Sequence, residues 1–284
     1  MIKRFVCVAL SVFLIFSLAA CGRTSFETPD QSSSQDSSSA LASSKVEKPA
    51  FSPNTTVARY FETKSYFDAE ANDTIEYMLH QPIRETDEKA PLFIFLHGLY
   101  EPVNVDSLGT ALKPVESLMT LENVDERFGA YVLVPSTPLP NEGWWTESQI
   151  AALKTLIYKV IADYNIDEKR VSLSGISMGG YTTCRLVDEM PPNTFAAAVT
   201  ISAASNLTNP KAHFNTAFRI YHAEKDETIS PACSLEFEKQ LSNAGHPDFE
   251  CTVFEGGDHL SPLTNVFKNN SVGFFDWLFS QRLP

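Results

Sequence analysis

One stretch, residues 170–187, limits the folds open to this chain more than any other part of the sequence. It starts with alternating apolar residues, Val171 and Leu173, reaches Gly-Ile-Ser-Met-Gly at 175–179, and continues as a helical pattern. We interpret it as a strand, a sharp turn at Ser177 and a helix. The two glycines lack the Cβ atoms that would collide where strand and helix approach, and the turn predicts a strained backbone at the serine. The hydroxyl is therefore expected above a strand end, at a helix N-terminus that favours negative charge.

Strand-like and helix-like runs alternate along most of the chain. After an antiparallel start, apolar strand-like runs and helical runs follow one another, which predicts a mainly parallel α/β sheet with helices on both faces. The predicted strands are 60–66, 74–79, 91–96, 130–135, 171–174, 196–202, 218–222 and 251–254, and the predicted helices are 106–120, 147–164, 178–190, 230–244 and 271–281. The connection from 202 to 218 is too short for a large cap domain, so an open site is expected.

Three side chains are expected at the carboxyl edge of this sheet, where the loops after parallel strands meet and ligands bind. Ser177 is the candidate nucleophile, His259 the candidate base and Asp226 the candidate acid. A serine hydroxyl needs a base to remove its proton, and that base needs an acceptor on its other ring nitrogen. Asp226 follows the predicted strand 218–222 and His259 follows the strand 251–254, so both are expected in loops at that edge.

Other residues compete for the two supporting roles. His222 ends a strand and is therefore less well placed to act as the base. Asp258 lies directly beside His259 in the sequence and is therefore less well placed to orient its ring. The remaining candidates for the base are His80, His97, His213 and His246, and those for the acid are Glu224 and Glu227.

Backbone donors and aromatic side chains complete the predicted site. A tetrahedral intermediate needs N–H donors aimed at its oxyanion. We expect these from Met178, which follows the nucleophile, and from Leu99, in the loop after the strand 91–96. The predicted substrate-binding residues on the same rim are Tyr100, Trp144 and Trp145. The indoles suit stacking on a sugar ring or an aromatic acyl group, and packing of their loop onto the domain is the alternative.

Five stretches of this sequence resemble the α/β-hydrolase superfamily. They are Pro-Leu-Phe-Ile-Phe-Leu-His-Gly at 91–98, Gly-Trp-Trp-Thr at 143–146, the segment 164–181, Tyr-His-Ala-Glu-Lys-Asp at 221–226 and Gly-Asp-His at 257–259. More narrowly, they are similar to bacterial secreted esterases grouped with feruloyl and acetyl-xylan esterases and with phospholipase/carboxylesterase-type enzymes, some described as predicted peptidases. The resemblance covers about residues 91–283 and implies an α/β-hydrolase fold with the functional Ser, Asp and His in this chain order.

The N-terminus has the pattern of an export signal. Lys3 and Arg4 precede an apolar run at 5–20, which is too short for a comfortable membrane span. The end of that run, Leu-Ala-Ala-Cys-Gly at 18–22, resembles a bacterial lipoprotein signal. The resemblance implies cleavage before Cys21 and lipid attachment to its sulfur. An ordinary signal peptide is the alternative.

The composition changes after the signal. Serine dominates residues 23–53, where Gln, Asp, Thr and Pro also occur, and such a segment buries too little apolar surface to offset the entropy of ordering. The sequence therefore predicts a signal peptide at 1–20, a Ser-rich disordered tether at 21–54 and a catalytic domain at 55–284. The domain is expected to be exported and lipid-anchored to the outer face of a bacterial cell membrane.

Charge and cysteine content narrow the possible partners. A formal net charge of −13 argues against nucleic acid and against direct electrostatic adsorption to anionic lipid. Beyond the signal and Cys21, the cysteines are Cys184, Cys233 and Cys251. They form either three buried thiols or a Cys233–Cys251 disulfide with one free thiol. Zinc-ligand spacing is missing from the sequence, so no metal and no cofactor is predicted.

These observations together predict a cell-surface serine esterase. It would hydrolyse carboxylic esters through an acyl-enzyme, with acyl groups on carbohydrate or aromatic esters as candidate substrates. The expected partners are an ester substrate, either a small molecule or an acylated polysaccharide, and the membrane that holds the anchor. Two alternatives stay open: a serine peptidase of the same fold, and a glycan-binding lipoprotein that has lost catalysis.

Overall fold

A single eight-stranded sheet organises the part of the chain that the computed structural model describes, which is residues 61–82, 87–99, 127–136, 146–268 and 272–284. These residues all belong to the second of two units into which the chain divides, Met1–Pro49 and Ala50–Pro284. The predicted signal, the tether and the helix at 106–120 lie outside the described residues.

The sheet combines an antiparallel start with a parallel remainder. Its strands are β1 (Glu62–Asp68), β2 (Asp73–His80), β3 (Ala90–Leu96), β4 (Tyr131–Ser136), β5 (Ile166–Ile176), β6 (Ala197–Ile201), β7 (Ala217–Ala223) and β8 (Phe249–Phe254). Their order is β1-β2-β4-β3-β5-β6-β7-β8, and β2 pairs antiparallel with both β1 and β4. All other pairs are parallel. The predicted antiparallel start and parallel sheet are confirmed.

Four helices cover the sheet in the described residues: α1 (Glu147–Asp163), α2 (Met178–Glu189), α3 (Ala232–Ala244) and α4 (Phe274–Ser280). A 3₁₀ turn at Pro210–His213 links β6 to β7, and a helical turn at Ser261–Leu263 runs into a π-helical turn at Thr264–Lys268. Helix α1 begins at Thr146, whose hydroxyl accepts a hydrogen bond from the backbone N–H of Gln149 at 3.2 Å. None of the helices in these ranges is long and apolar enough to cross a membrane.

The strand β3 shows how the core forms on both faces of the sheet. Its side chains alternate, because successive residues of a strand point to opposite faces. Leu92, Ile94 and Leu96 belong to one apolar cluster, together with residues of α1, α2 and α3. Phe93 and Phe95 belong to a second cluster, together with residues of α4. Both faces of the sheet are therefore covered, as predicted.

The strand β5 is longer than the sequence predicts. It pairs with β3 at Ala90–Ile166 and again from Leu92–Val171, so the register shifts across the polar residues 167–170. The additional residues form a bulge, which interrupts the apolar alternation from which strands are recognised. The prediction therefore found only 171–174 of this strand.

The three cysteines in the described ranges are free thiols. Cys184 is buried, whereas Cys233 and Cys251 are partly exposed. The structure thus contains no Cys233–Cys251 disulfide within the part of the chain it describes. The expectation of three buried thiols holds for Cys184 only.

Candidate active site

Ser177 occupies a strained turn between β5 and α2. Its φ of 55° and ψ of −116° lie in a region that residues other than glycine rarely adopt. The turn is held by the Ser177 backbone N–H, which donates to the Ile201 carbonyl at 2.8 Å. A Cβ at Gly175 would collide with the Gly179 backbone, and one at Gly179 would collide with the Leu96 backbone. Both glycines are therefore required for the close approach of strand and helix.

The loop after β3 lies against this turn. A Cβ built on Gly98 would be 3.5 Å from the Ser177 Cβ. His97 is buried, and its Nδ1 lies 2.8 Å from the Gly98 carbonyl oxygen. Because a carbonyl only accepts, Nδ1 carries the proton and donates it. This bond fixes the peptide group shared by the Gly98 carbonyl and the Leu99 N–H, and so fixes the direction of that N–H.

Asp226, which follows β7, is a buried carboxylate that receives hydrogen bonds on both oxygens. Its Oδ1 accepts from the backbone N–H groups of Thr228 and Ile229, each at 2.9 Å. Its Oδ2 lies 2.7 Å from Nδ1 of His259. The loop therefore orients the carboxylate, and the carboxylate orients the histidine ring.

His259 sits in a tight turn after β8. Gly256 and Gly257 have φ values of 65° and 71°, which suit glycine. Oδ1 of Asp258 accepts from the Ser261 N–H at 3.0 Å and from the Ser261 hydroxyl at 2.7 Å. The Ser261 hydroxyl bond is the main reason that the pKa of Asp258 is held below its ordinary value. Asp258 thus shapes the turn and does not orient the ring of His259.

The contact with Asp226 determines the tautomer of His259. Since a carboxylate only accepts, Nδ1 carries the ring proton, and Nε2 is left with a lone pair. Nε2 is buried and has no hydrogen-bond partner among the described residues, Ser177 included. The structure therefore brings Asp226 and His259 together but forms no hydrogen bond between His259 and Ser177. Hydrogen bonds of this kind are often long in unliganded sites and shorten with substrate.

Solved structures show the same chain topology. A thermostable esterase superposes with a TM-score of 0.71 at 27% sequence identity, covering 80% of this chain and 64% of the esterase. The chain has the α/β-hydrolase fold. A ferulic acid esterase shares this fold at 16% identity, with a TM-score of 0.59 over 74% of this chain and 95% of that one. The acylaminoacyl peptidase of Pyrococcus horikoshii shares it at 16% identity and a TM-score of 0.56, over 79% of this chain and 42% of the peptidase.

The chain spans less than two thirds of the length of the thermostable esterase. No known protein-family profile matches the sequence. A search of curated proteins also finds no match.

Other histidines of the α/β-hydrolase domain are engaged elsewhere. Burial holds the pKa of His97 below its ordinary value, and its Nδ1 is occupied by Gly98. His246 lies just before β8, opposite the carboxyl edge, where its Nε2 contacts the His213 carbonyl at 3.0 Å. His80 is buried in the antiparallel strand β2. Among the described histidines, His259 is the one whose Nδ1 contacts Asp226, and its role as the base for Ser177 stays a prediction.

The competing acids are exposed. Glu224 and Glu227 lie at the surface, and Glu224 accepts a hydrogen bond from the Gly256 N–H at 2.9 Å. Asp226 is the buried acid of this loop, and its role as the acid stays a prediction. The predicted rim residues Tyr100, Trp144 and Trp145 lie outside the described residues and stay predictions.

Sequence reasoning missed two supporting features of the α/β-hydrolase site. One is the bond between Asp258 and Ser261, and the other is the contact of His222 with Asp226, at 3.1 Å between Nε2 and Oδ2. An acid three residues before a serine is a recognisable turn signal, whereas the contact between His222 and Asp226 depends on a loop that folds back.

In the described ranges, no group of three or more His, Cys, Asp or Glu side chains is placed to hold a metal ion.

Proposed function

We propose that this chain is a serine esterase that hydrolyses carboxylic esters through Ser177, His259 and Asp226. The observation that carries the proposal is the 2.7 Å contact between His259 Nδ1 and Asp226 Oδ2. It leaves Nε2 of His259 as an acceptor, in a loop at the same carboxyl edge of the sheet as Ser177. The likeness to a thermostable esterase supports ester hydrolysis as the reaction class.

The reaction would proceed in two halves. Ser177 Oγ attacks the ester carbonyl carbon while its proton passes to His259 Nε2. The tetrahedral intermediate collapses, His259 returns the proton to the departing alcohol, and an ester of Ser177 remains. Water then attacks this acyl-enzyme with His259 again taking the proton. Collapse, with His259 returning its proton to Ser177 Oγ, releases the carboxylic acid and restores the Ser177 hydroxyl.

Asp226 keeps the base in its active form throughout. Its carboxylate holds the proton on Nδ1 and stabilises the imidazolium that forms in each half-reaction. The backbone N–H groups of Met178 and Leu99 would donate to the oxyanion. Loss of one such donor typically costs about 10² to 10³ in rate.

Acyl groups on carbohydrate or aromatic esters are the proposed substrates. The 3₁₀ turn at Pro210–His213 is the main element in the short link between β6 and β7, which leaves little room for a cap there. An open site suits bulky or polymeric esters.

The test is a panel of p-nitrophenyl acetate, butyrate and octanoate, methyl ferulate and acetylated xylo-oligosaccharide, with an amino-acid anilide as the peptidase control. Turnover of the anilide at rates matching the best ester would favour a peptidase.

A fluorophosphonate probe tests the nucleophile independently of substrate choice. The wild-type protein should be labelled, and Ser177→Ala should not. Ser280→Ala, at the exposed end of α4, is a matched control that should label normally. Labelling that survives in Ser177→Ala, or glycan binding without turnover of any ester in the panel, would contradict the proposal.

Attachment to the outer face of the cell membrane is proposed from the sequence alone. The sulfur of Cys21 is the expected lipid site, because it follows Leu-Ala-Ala at 18–20. Cells that express the protein and are fed an alkyne fatty acid should label wild type but not Cys21→Ser. Equal labelling of both proteins would rule out this attachment site.

A further inference from the structure

A second histidine contacts the acid of the candidate site. His222 lies in β7, and its Nε2 is 3.1 Å from Oδ2 of Asp226. The same oxygen receives Nδ1 of His259 at 2.7 Å. The side chains of His222 and Asp226 are both 0% exposed, so this contact is closed to bulk solvent.

The surroundings of His222 determine where its proton lies. Nε2 is also 2.9 Å from the Ile229 carbonyl oxygen, so it faces two acceptors and must carry a hydrogen. Nδ1 is 2.7 Å from the Ser234 hydroxyl, which is able to donate. Burial holds the pKa of His222 below its ordinary value, which favours the neutral ring. His222 is therefore neutral, with Nε2–H shared between Asp226 and Ile229, and Nδ1 accepting from Ser234.

This arrangement closes a ring of hydrogen bonds around the acid. Asp226 Oδ1 binds the Ile229 N–H, while the Ile229 carbonyl binds His222, which in turn binds Asp226 Oδ2. The carboxylate therefore cannot rotate without breaking bonds on both oxygens. Loss of the His222 donor would leave the Ile229 carbonyl without this partner and Oδ2 with His259 as its one donor among the described residues. Loss of a hydrogen bond to a carboxylate as buried as Asp226 is costly.

We propose that His222 is a positioning residue that holds the Asp226 carboxylate in the orientation His259 requires, with Ser234 setting the tautomer of its ring. The inference rests on the proposed esterase function. His222 does not act as a second base, because both of its nitrogens are occupied and its ring is buried.

Two amide substitutions separate positioning from packing. His222→Gln can place an amide N–H near the position of Nε2, whereas His222→Asn reaches only the position of Nδ1, next to Ser234. His222→Phe keeps an aromatic ring at this position and removes both nitrogen atoms. The matched control is His246→Phe, which removes another buried histidine, at the opposite edge of the sheet.

The measurements are kcat and KM for p-nitrophenyl butyrate, the rate of fluorophosphonate labelling, and the thermal unfolding midpoint of each variant. Outer partners that orient metal-ligating side chains typically contribute about 10- to 100-fold, and we expect the same order of effect for a partner of Asp226. We expect kcat and the labelling rate to fall by about that factor in His222→Asn and His222→Phe, with little change in KM. His222→Gln should recover most of the rate, and the control should keep the wild-type kcat even where its unfolding midpoint falls.

The outcomes separate this inference from the proposed function. A wild-type protein that neither labels nor hydrolyses any ester defeats the proposed function. If wild type is active and folded His222→Asn has an unchanged kcat, the positioning role is wrong. The role is equally wrong if Gln and Asn at this position lose rate to the same extent, because packing alone would then explain the loss. If His222→Phe does not fold, the Gln and Asn pair decides.

Discussion

Replacing Asp226 by Asn tests the tautomer argument, because the structure dictates how the new amide would sit. The Oδ1 position receives two backbone N–H groups, from Thr228 and Ile229, so the amide oxygen must occupy it. The amide NH₂ then stands where Oδ2 stood and points at His259, while the Nε2–H of His222 keeps the Ile229 carbonyl as its acceptor. A donor at that place forces Nδ1 of His259 to accept, so the ring proton moves to Nε2. The base is thereby lost while the fold is kept.

The expected loss is large. An equivalent Asp→Asn change in a serine protease lowers kcat by about 10⁴, and the same factor here corresponds to about 5 kcal/mol in activation free energy. The assay is kcat for p-nitrophenyl butyrate at neutral pH, with the fluorophosphonate labelling rate as a second readout. Glu224→Gln, an exposed acid of the same loop, is the control and should retain wild-type kcat. A folded Asp226→Asn with kcat within about tenfold of wild type, well short of the expected 10⁴, would show that Asp226 does not set the tautomer of His259.

Three further predictions concern stability and reactivity. Gly179→Ala should prevent folding, because its Cβ would collide with the Leu96 backbone. Gly245 has a φ of 75° and open space around it, so Gly245→Ala should lower the unfolding free energy by only about 1–2 kcal/mol. Comparable urea midpoints for the two variants would contradict this. Burial lowers the pKa of four histidines, namely His97, His213, His222 and His246. The unfolded state therefore binds more protons than the folded state below about pH 6.5, and the unfolding free energy should fall there. His246→Phe should flatten the dependence of the melting midpoint on pH, and a slope equal to that of wild type would count against this effect of burial. Burial raises the pKa of Cys184 to about 12, so iodoacetamide at pH of about 8 should modify it only after denaturation, as read by peptide mass spectrometry; equally fast alkylation of the native protein would disprove its burial.

The parts of the fold that the sequence predicts well are those with a strong local pattern. The continuous apolar run at 91–96 predicts β3, and the helical spacing of Ile150, Leu153 and Ile157 predicts α1. The strained turn at Ser177 follows from its glycines, because only residues without a Cβ fit where β5 meets α2. Local chemistry and global packing agree at these points.

The parts that the sequence does not predict depend on distant contacts. The first half of β5 is missed because a bulge at 167–170 places polar residues within a strand. The role of His222 is missed because its partner Ile229 returns to it through a loop whose path is not written in local spacing. The positions of Asp226 and His259 after β7 and β8 are predicted from the sequence, but the 2.7 Å contact between them depends on how the two loops fold.

The most direct test of the proposed site is a crystal structure of the protein after reaction with a small phosphonate ester. We expect phosphorus bonded to Ser177 Oγ, its free oxygen accepting from the N–H groups of Met178 and Leu99, and His259 Nε2 within about 3.2 Å of an oxygen on the phosphorus. Phosphorus on another residue, or a His259 that has left Asp226 and turned away from Ser177, would contradict it.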